Sequence, residues 1–460
     1  MKLVINAADF GLTASTQLQT EAIQKAIDHC FLQGGGIVEI PEGEYRTGDI
    51  RLRSNITLHL MKNAKLIGSN NPEDYFNYLN DKTEPMDKSQ ITDAPYIHLS
   101  TIHGETGYVE NKLEYRFKRI AGSRWNNAII RAFDAENISI IGEEGSLIDG
   151  VNCFDDYCSE EDYRGPHGMT FYGCRNIELS GYTIQNTGNW AHNLLFCENI
   201  SVDSIKVLAG HDGFDVSVCT NIKITNSEFY TGDDCIAGFG NINTLVSDCI
   251  LNSSCSALRF GGSNVIIRNC HMYGPGRYCF RGSMTDEEKR ASAPSPSSGA
   301  RNNMLSAFTY YADYSLPIEA QPGNILITDC CIDMADRFLH YNYSGNETWQ
   351  KNRPLDSIEF RNIDAKGVSM PITAYGDEDV PVTLRLTDIN LSLREGFASI
   401  DIIHACNYKS IELKNINISN FSGDCLVRKW SEGNISLDNI CGTGKASVKK
   451  ADFEFFSESI

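Results

Sequence analysis

The chain has 460 residues, of which 41% are hydrophobic, and a formal net charge of −20 at pH 7. Proteins that bind nucleic acid or anionic membrane surfaces cluster Lys and Arg against phosphates, so this charge argues against both kinds of partner. No apolar stretch approaches the roughly 18 residues that a membrane-spanning helix needs.

The first residues, MKLVINAADFGLTAS, lack the charged region, apolar core and cleavage site of a secretory signal. We therefore expect a cytoplasmic protein, or a secreted one if a leader has been removed. The sixteen cysteines are scattered through apolar runs, without the paired spacing of a zinc site. They are predicted to be reduced core residues, and we expect no metal ion and no cofactor.

Residues 15–31 predict an amphipathic helix near the N-terminus. Thr16 and Gln19 have the spacing of a capping box. Five small or apolar residues fall on one face of this helix: Ala22, Ile23, Ala26, Ile27 and Cys30. A helix of this kind is expected to cover the open end of the β-rich body that follows.

A short phrase recurs from residue 137 onward: Asn or another polar residue, alternating apolar positions, then Asn or Asp. Between Asn176 and Asn264 the steps are 23, 22, 22 and 21 residues, and later steps are 33, 26, 27 and 24. A step near 22 residues with period-two alternation predicts a single-stranded, right-handed parallel β-helix, an all-β solenoid. Asn suits the turn position because it tolerates a left-handed backbone and its amide can pair with the next coil.

Two stretches interrupt the repeat. Residues 70–128 are polar and aromatic, and residues 283–322 contain SMTDEEKRASAPSPSSGARNN. Because the repeat resumes in the same style, we interpret residues 1–460 as one domain with two loop insertions that border a cleft. Tyr310, Tyr311 and Tyr314 lie in the second insertion, where they either line a sugar pocket or pack within the loop.

Three carboxylates are the main candidates for catalysis. Asp212 lies 13 residues after Asn199, while Asp233 and Asp234 lie 12 and 13 residues after Asn221. Equivalent positions on successive coils are about 4.8 Å apart, so Asp234 is expected to stack on Asp212 with Asp233 beside them. Crowded carboxylates raise one another's pKa and serve proton transfer. A calcium site or a ladder of turn-stabilising side chains is the alternative.

The segments GHDGFD (210–215) and TGDDC (231–235) resemble the two consecutive motifs of glycoside hydrolase family 28, the polygalacturonases and their relatives. RGPHGMTFYGCRNI, NTGNWAHNLLFCENI and the N-terminal coils are similar to the family's as well, so the resemblance covers nearly the whole chain. It implies a pectin lyase-like β-helix that hydrolyses glycosidic bonds with inversion. By this resemblance, Asp233 would protonate the leaving oxygen, and Asp212 and Asp234 would hold and deprotonate the attacking water.

The resemblance is incomplete around the three carboxylates. Ser256 stands where the family has a histidine, and Ser283 stands where it has the lysine of an Arg-x-Lys pair. Arg281 matches the arginine of that pair, which grips a uronate carboxylate. Ordinary packing or surface exposure is the alternative for each of the substrate-binding candidates: Arg281, Tyr343, Arg259, His211, Trp190 and His192.

We therefore expect an inverting, exo-acting glycosidase whose partner is an acidic or pectin-derived oligosaccharide. A glycosidase for rhamnogalacturonan or neutral sugars on the same scaffold remains open. So do a β-helix polysaccharide lyase, which would need Ca²⁺ and an Arg or Lys base, and a non-catalytic carbohydrate-binding β-helix. The sequence leaves the sugar, the linkage and the oligomeric state open.

Overall fold

The computed structural model of the chain describes residues 3–75, 124–155, 164–290, 299–312, 320–343, 350 and 353–451. These residues fall into two compact units. The N-terminal unit comprises Met1–Asp233 with Tyr278–Arg301, and the C-terminal unit comprises Asp234–Arg277 with Asn302–Ile460. Each unit is built from stacked coils of parallel strands, which confirms the predicted parallel β-helix. The single domain over 1–460 stays a prediction.

The N-terminal unit contains eighteen strands in three parallel sheets. The first sheet is β4 (Ile50–Arg51), β7 (Ala128–Phe133), β10 (His167–Tyr172), β13 (His192–Leu195) and β16 (Phe214–Ser217). The second is β1 (Leu3–Asn6), β2 (Gly36–Ile40), β5 (Ile56–Leu60), β8 (Glu136–Gly142), β11 (Arg175–Ser180), β14 (Glu198–Asp203) and β17 (Thr220–Thr225). The third is β3 (Gly43–Thr47), β6 (Ala64–Gly68), β9 (Leu147–Asp149), β12 (Thr183–Gln185), β15 (Lys206–Ala209) and β18 (Glu228–Thr231).

The strands of the C-terminal unit include several that are longer, with 11–13 residues. They are β19 (Ile236–Ser247), β20 (Ile250–Ser253), β21 (Ser256–Arg268), β22 (His271–Tyr273), β23 (Met304–Tyr310), β24 (Gly323–Asp333), β25 (Ala335–Asn342), β26 (Ser357–Val368), β27 (Ile372–Tyr375), β28 (Val382–Leu393), β29 (Ile403–Cys406), β30 (Tyr408–Ser419), β31 (Cys425–Lys429), β32 (Asn434–Cys441) and β33 (Ser447–Lys450). Strand β24 continues from one sheet into the next. The register of every strand pair within this unit is parallel.

Alternation within each strand explains the core. In the second sheet of the N-terminal unit, apolar side chains pair in register from coil to coil and are almost fully buried: Val38, Leu58, Ile140, Leu179, Val202 and Ile224. Polar residues such as Ser139 and Glu178 point outward between them. Burying one such aliphatic side chain contributes about 1.5–3 kcal/mol, so this column stabilises the sheet from coil to coil.

Asparagines form a continuous ladder beside this column, as predicted. In the N-terminal unit each side-chain amide donates to the amide oxygen one coil earlier, at 2.8–3.0 Å, along the series Asn55, Asn137, Asn176, Asn199 and Asn221. All five have φ between 56° and 64°, which Asn tolerates better than most residues. A second series in the C-terminal unit joins Asn243, Asn264 and Asn324.

The predicted N-terminal helix is present, but it begins later than residue 15. Helix α1 spans Thr20–Leu32 and buries Ile23, Ala26, Ile27 and Cys30. Ahead of it, Ser15 forms an isolated β-bridge with Tyr45, and residues 16–19 are not helical. The predicted capping box is wrong, because Gln19 is the N-cap and its side-chain oxygen accepts from the amide of Thr13 at 3.0 Å instead of capping α1.

The two predicted insertions are described only in part. Residues 76–123 of the first lie outside the described residues. The second is not one loop over 283–322, since its middle forms strand β23, which pairs with β21 and β25. The apolar run MLSAFTY in this strand could have predicted it. A short helix, α2 (Asp286–Arg290), lies at its start, while residues 291–298 and 313–319 lie outside the described residues.

The cysteines of the described residues are free thiols, and twelve of these fifteen are buried, which agrees with their predicted place in the core. Among the helices that the structure describes, none has the length and apolar character needed to traverse a lipid bilayer.

Candidate active site

Asp212 and Asp233 lie on successive coils of the N-terminal unit. Strand β15 pairs with β18 so that Ala209 faces Thr231, an offset of 22 residues. The amide of Gly232 donates to the carbonyl of Ala209 at 3.0 Å. The turn that carries Asp233 therefore lies directly over the turn that carries Asp212, as the repeat predicted.

Glycine is required directly before Asp233 because the chain is crowded there. A Cβ atom at Gly232 would lie 2.5 Å from the carbonyl oxygens of both Gly210 and Cys279, and a Cβ at Gly210 would lie 3.1 Å from Cδ of Arg281. A side chain at position 232 would therefore displace the backbone that carries Asp233. Steric crowding therefore explains why the first residue of the Gly-Asp-Asp motif is a glycine in this chain.

The side chains of Asp212 and Asp233 differ in their exposure to solvent. Asp212 is only 4% exposed, and its carbonyl accepts from the amide of Ala191 at 2.9 Å. Asp233 is half-buried, and its carbonyl accepts from the hydroxyl of Thr231 at 2.6 Å. Both main chains are held in place, and Asp233 is the more accessible residue.

Asp234 is the first residue of the C-terminal unit and has no solvent exposure. Its Oδ1 accepts from the amide of Ser256 at 2.9 Å, and its Oδ2 lies 3.3 Å from Nη1 of Arg259. Burial raises the pKa of Asp234, while Arg259 and the hydrogen bonds from Ser256 oppose that rise. The main cause is thus burial and not the crowding of carboxylates that we predicted; the stacking of Asp234 on Asp212 stays a prediction.

Arg259 does not simply turn outward from its strand. Its guanidinium lies 4.2 Å above the ring of Tyr311, which packs edge-on against Phe239 with ring centroids 5.2 Å apart. Arg259 is therefore held between an aromatic face and a carboxylate. Ser256 stands at the family's histidine position, and its hydroxyl lies 3.1 Å from that of Thr309.

Arg281 is a buried arginine rather than an exposed loop residue. Its side chain is 5% exposed, and Nη1 donates to Oδ1 of Asn152 at 2.6 Å. Nη2 donates to the carbonyl of Lys289, and the guanidinium lies 4.9 Å from the ring centroid of Phe154. Its partner Asn152 is 129 residues away along the chain.

His211, the neighbour of Asp212, lies among cationic groups. Burial, followed by the charges of Arg164, Arg281 and His167, lowers the pKa of His211 well below its usual range. The imidazole is therefore neutral near pH 7. Its Nε2 atom is buried without a hydrogen-bond partner among the described residues.

Trp190 belongs to an aromatic group that the sequence analysis did not identify. Its ring lies 5.7 Å from that of Trp125 and 5.3 Å from that of His167. Arg164 lies 5.6 Å from the ring centroid of Trp125 and donates to Oδ1 of Asn189 at 2.9 Å. Arg164 and His167 lie in the segment RGPHG, whose likeness to the family could have identified them as site residues. Neither was predicted to be one.

His192 lies in the core of the N-terminal unit, which argues against its predicted contact with substrate. It has no solvent exposure, and its ring nitrogens lie 2.9 Å from the hydroxyl of Tyr182 and 2.9 Å from the carbonyl of Gly213. Burial lowers the pKa of His192 to about 4. All four residues of β13 are buried, and the His192 ring packs on Phe214 with ring centroids 4.9 Å apart.

The tyrosines of the C-terminal unit are divided between core and surface. Tyr343 is half-buried, with its ring 6.5 Å from that of Tyr341. Tyr310 is fully buried on β23, and its hydroxyl donates to the carbonyl of Arg353, so it does not wall off a pocket. Tyr314 lies outside the described residues.

Comparison with known sequences agrees with the motifs. The sequence model of the family "Glycosyl hydrolases family 28" matches residues 98–257, a range that contains all three carboxylates. The exo-poly-alpha-D-galacturonosidase of Dickeya chrysanthemi is 28% identical over 266 residues, which are 52% of this chain and 42% of that protein. The chain spans less than half the length of the first curated relatives that it matches.

Comparison with solved structures supports the fold. A hyperthermoactive exopolygalacturonase from Thermotoga maritima superimposes with a TM-score of 0.62 at 18% identity, covering 91% of this chain and 92% of that one. The family 28 exopolygalacturonase of Yersinia enterocolitica gives 0.62 at 16% identity, covering 100% and 79%. At such identities the likeness extends to the fold alone. The matched segment, with its carboxylate motifs, is thus similar to glycosyl hydrolase family 28.

Proposed function

We propose that the chain is an inverting glycoside hydrolase that removes sugar residues from the end of pectin-derived oligosaccharides. The observation that carries this proposal is the placement of Asp212 and Asp233 on successive coils, where Gly232 permits the close approach of the two turns. Two carboxyl groups in different surroundings are what general acid–base hydrolysis of a glycosidic bond requires.

The proposed roles are those that the family resemblance implies, and exposure agrees with them. Asp233, the more accessible carboxyl, donates a proton to the leaving oxygen as the bond breaks. Asp212 and Asp234, both buried, hold the attacking water and accept its proton. Inversion requires acid and base to be about 6.5–9.5 Å apart so that a water molecule fits between them.

An acidic sugar is favoured as the substrate. Two arginines that carry a permanent charge, Arg164 and Arg281, lie close enough to His211 to depress its pKa, next to the candidate base Asp212. Arginine matches a carboxylate through paired hydrogen bonds. The relatives named as exo-acting on polygalacturonate agree with a uronate substrate and with cleavage from the chain end.

The test is a set of purified trisaccharides: trigalacturonate, its methyl ester and a neutral galactotriose. We expect reducing ends to be released from trigalacturonate first, with mono- and disaccharide as the only products. Proton NMR of the first product should show an inverted anomeric configuration. An unsaturated product that disappears with a chelator would mean a lyase, and retained configuration would contradict inversion.

Arg281→Gln tests the choice of an acidic sugar. We expect KM for trigalacturonate to rise by about tenfold or more, because a charge-assisted hydrogen bond contributes about 1.5–3 kcal/mol, while activity on the methyl ester changes less. Arg361→Gln is the matched control, since half of that side chain is exposed and it pairs with Glu359. Equal effects of Arg281→Gln on the acid and on its ester would contradict carboxylate recognition.

A further inference from the structure

We propose that Arg259 is a positioning residue for Asp234, whose buried carboxylate it holds in the orientation and charge state of a base. This inference rests on the proposed function and deepens it. It also gives Arg259 a different task from the sugar binding that its sequence position suggested.

The two oxygens of Asp234 are held by different donors. Oδ1 accepts from the main-chain amide of Ser256 at 2.9 Å, and Oδ2 lies 3.3 Å from Nη1 of Arg259. Both donors belong to strand β21, so the coil that follows Asp234 fixes the plane of its carboxyl group. A base that must deprotonate a water needs this kind of fixed orientation.

Burial creates the need for a cation at this position. Asp234 has no exposure, and removing a carboxylate from water favours its neutral form, which cannot act as a base. Among the groups of the C-terminal unit that oppose this effect, Arg259 is the strongest, followed by Ser256 and the side chain of Cys255. Among the described residues of the C-terminal unit, the titratable groups Arg259 and Cys255 act on Asp234, and Asp233 precedes it in the chain.

Arg259 is itself held for this task. Its guanidinium lies 4.2 Å above the ring of Tyr311. Phe239 packs edge-on against the same tyrosine ring, with the two ring centroids 5.2 Å apart. A planar guanidinium can stack on an aromatic face while its edge donates to a carboxylate, whereas a lysine ammonium lacks the planar edge. The side chain remains 31% exposed, so it lies at the boundary between core and solvent.

The test is the pH dependence of kcat for Arg259→Gln and Arg259→Lys with trigalacturonate. For Arg259→Gln we expect the acidic limb, where the base becomes protonated, to move upward by about one pH unit or more, with activity recovering at higher pH. Arg259→Lys should keep most of the wild-type profile near neutrality because the charge remains. Tyr311→Leu should move the limb in the same direction by less, and Arg361→Gln should not move it.

A substrate-binding role predicts something else: a higher KM with the acidic limb unmoved, and that result would overturn the inference. A second measurement does not depend on activity. In ¹³C-carboxyl-labelled protein, the resonance missing from Asp234→Asn should titrate at higher pH in Arg259→Gln than in wild type, with circular dichroism confirming the fold. An unchanged titration would overturn the inference, whereas wild-type inactivity with a shifted titration would overturn only the proposed function.

Discussion

Burial separates the roles of side chains that look alike in the sequence. Asp233 and Asp234 are neighbours in one motif, yet the first is half-buried and the second has no exposure. His192 and His211 both lie near the motif, but the first has both ring nitrogens engaged in the core and the second is flanked by arginines. A side chain's chemistry here depends on which way its strand or turn directs it.

The same burial makes stability depend on pH. His192 has a pKa of about 4 in the folded chain, against 6.5 for an ordinary histidine. Between pH 6.5 and 4 the unfolded chain binds a proton that the folded chain does not, so stability falls as pH falls through this window. The loss is on the order of 3 kcal/mol by linkage. Urea unfolding of wild type and His192→Asn should show a smaller decline from pH 7 to pH 4.5 in the variant.

Carboxylates also titrate toward the lower end of that pH range and affect both proteins. The contribution of His192 is therefore the difference between the declines in stability of wild type and His192→Asn. His192→Asn keeps a polar group near Tyr182 without a titrating ring. Parallel declines in wild type and variant would contradict this account of His192.

Residue-level prediction succeeded where the repeat could supply a position and failed where distant segments meet. The 22-residue step places the turn that carries Asp233 one coil above the turn that carries Asp212, because equivalent positions stack. No period relates Arg281 to Asn152, which is 129 residues away, or Arg164 to Trp125 across an interrupted stretch. Those contacts depend on loop conformations, which the alternation of apolar residues does not encode.

At the scale of elements, the turn asparagines and the inward aliphatic columns determine the strands. The ladder was predictable, because Asn recurs at one position and tolerates φ near 57°. The start of α1 was not predictable, since Ser15 pairs with Tyr45 in a β-bridge although residues 15–19 have a helical pattern. Strand β23 was missed because it begins only a few residues after a stretch rich in Ser, Pro and Ala.

Asn176 tests the ladder. It donates to Asn137 at 2.9 Å and accepts from Asn199 at 3.0 Å, with φ of 56°. Asn176→Ala should lower the free energy of unfolding by about 2 kcal/mol, because it loses both amide contacts and forces alanine into the left-handed region.

Asn176→Gly is the matched control for backbone strain, since glycine adopts positive φ freely. We expect it to be the milder of the two substitutions, by about 1 kcal/mol, in thermal or urea unfolding. If the alanine and glycine variants were equally stable, the left-handed backbone would contribute nothing to the choice of Asn.

At the scale of the whole molecule, the repeat determines the fold, while the substitutions at the site mark the chain as divergent. The family motifs around the carboxylates are present, but a serine replaces the usual histidine and Arg259 pairs with Asp234. The three carboxylates are thus kept, and Arg259 is a cationic group that the family pattern does not have.

The central claim is that Asp233 is the general acid of a hydrolase. The most direct test is kcat/KM for trigalacturonate in wild type, Asp233→Asn and the control Asp438→Asn, whose side chain is exposed in the C-terminal unit. General acid catalysis contributes about 10²–10⁴-fold, so we predict a loss of that size for Asp233→Asn and none for Asp438→Asn. Wild-type activity that survives Asp233→Asn unchanged would contradict the account.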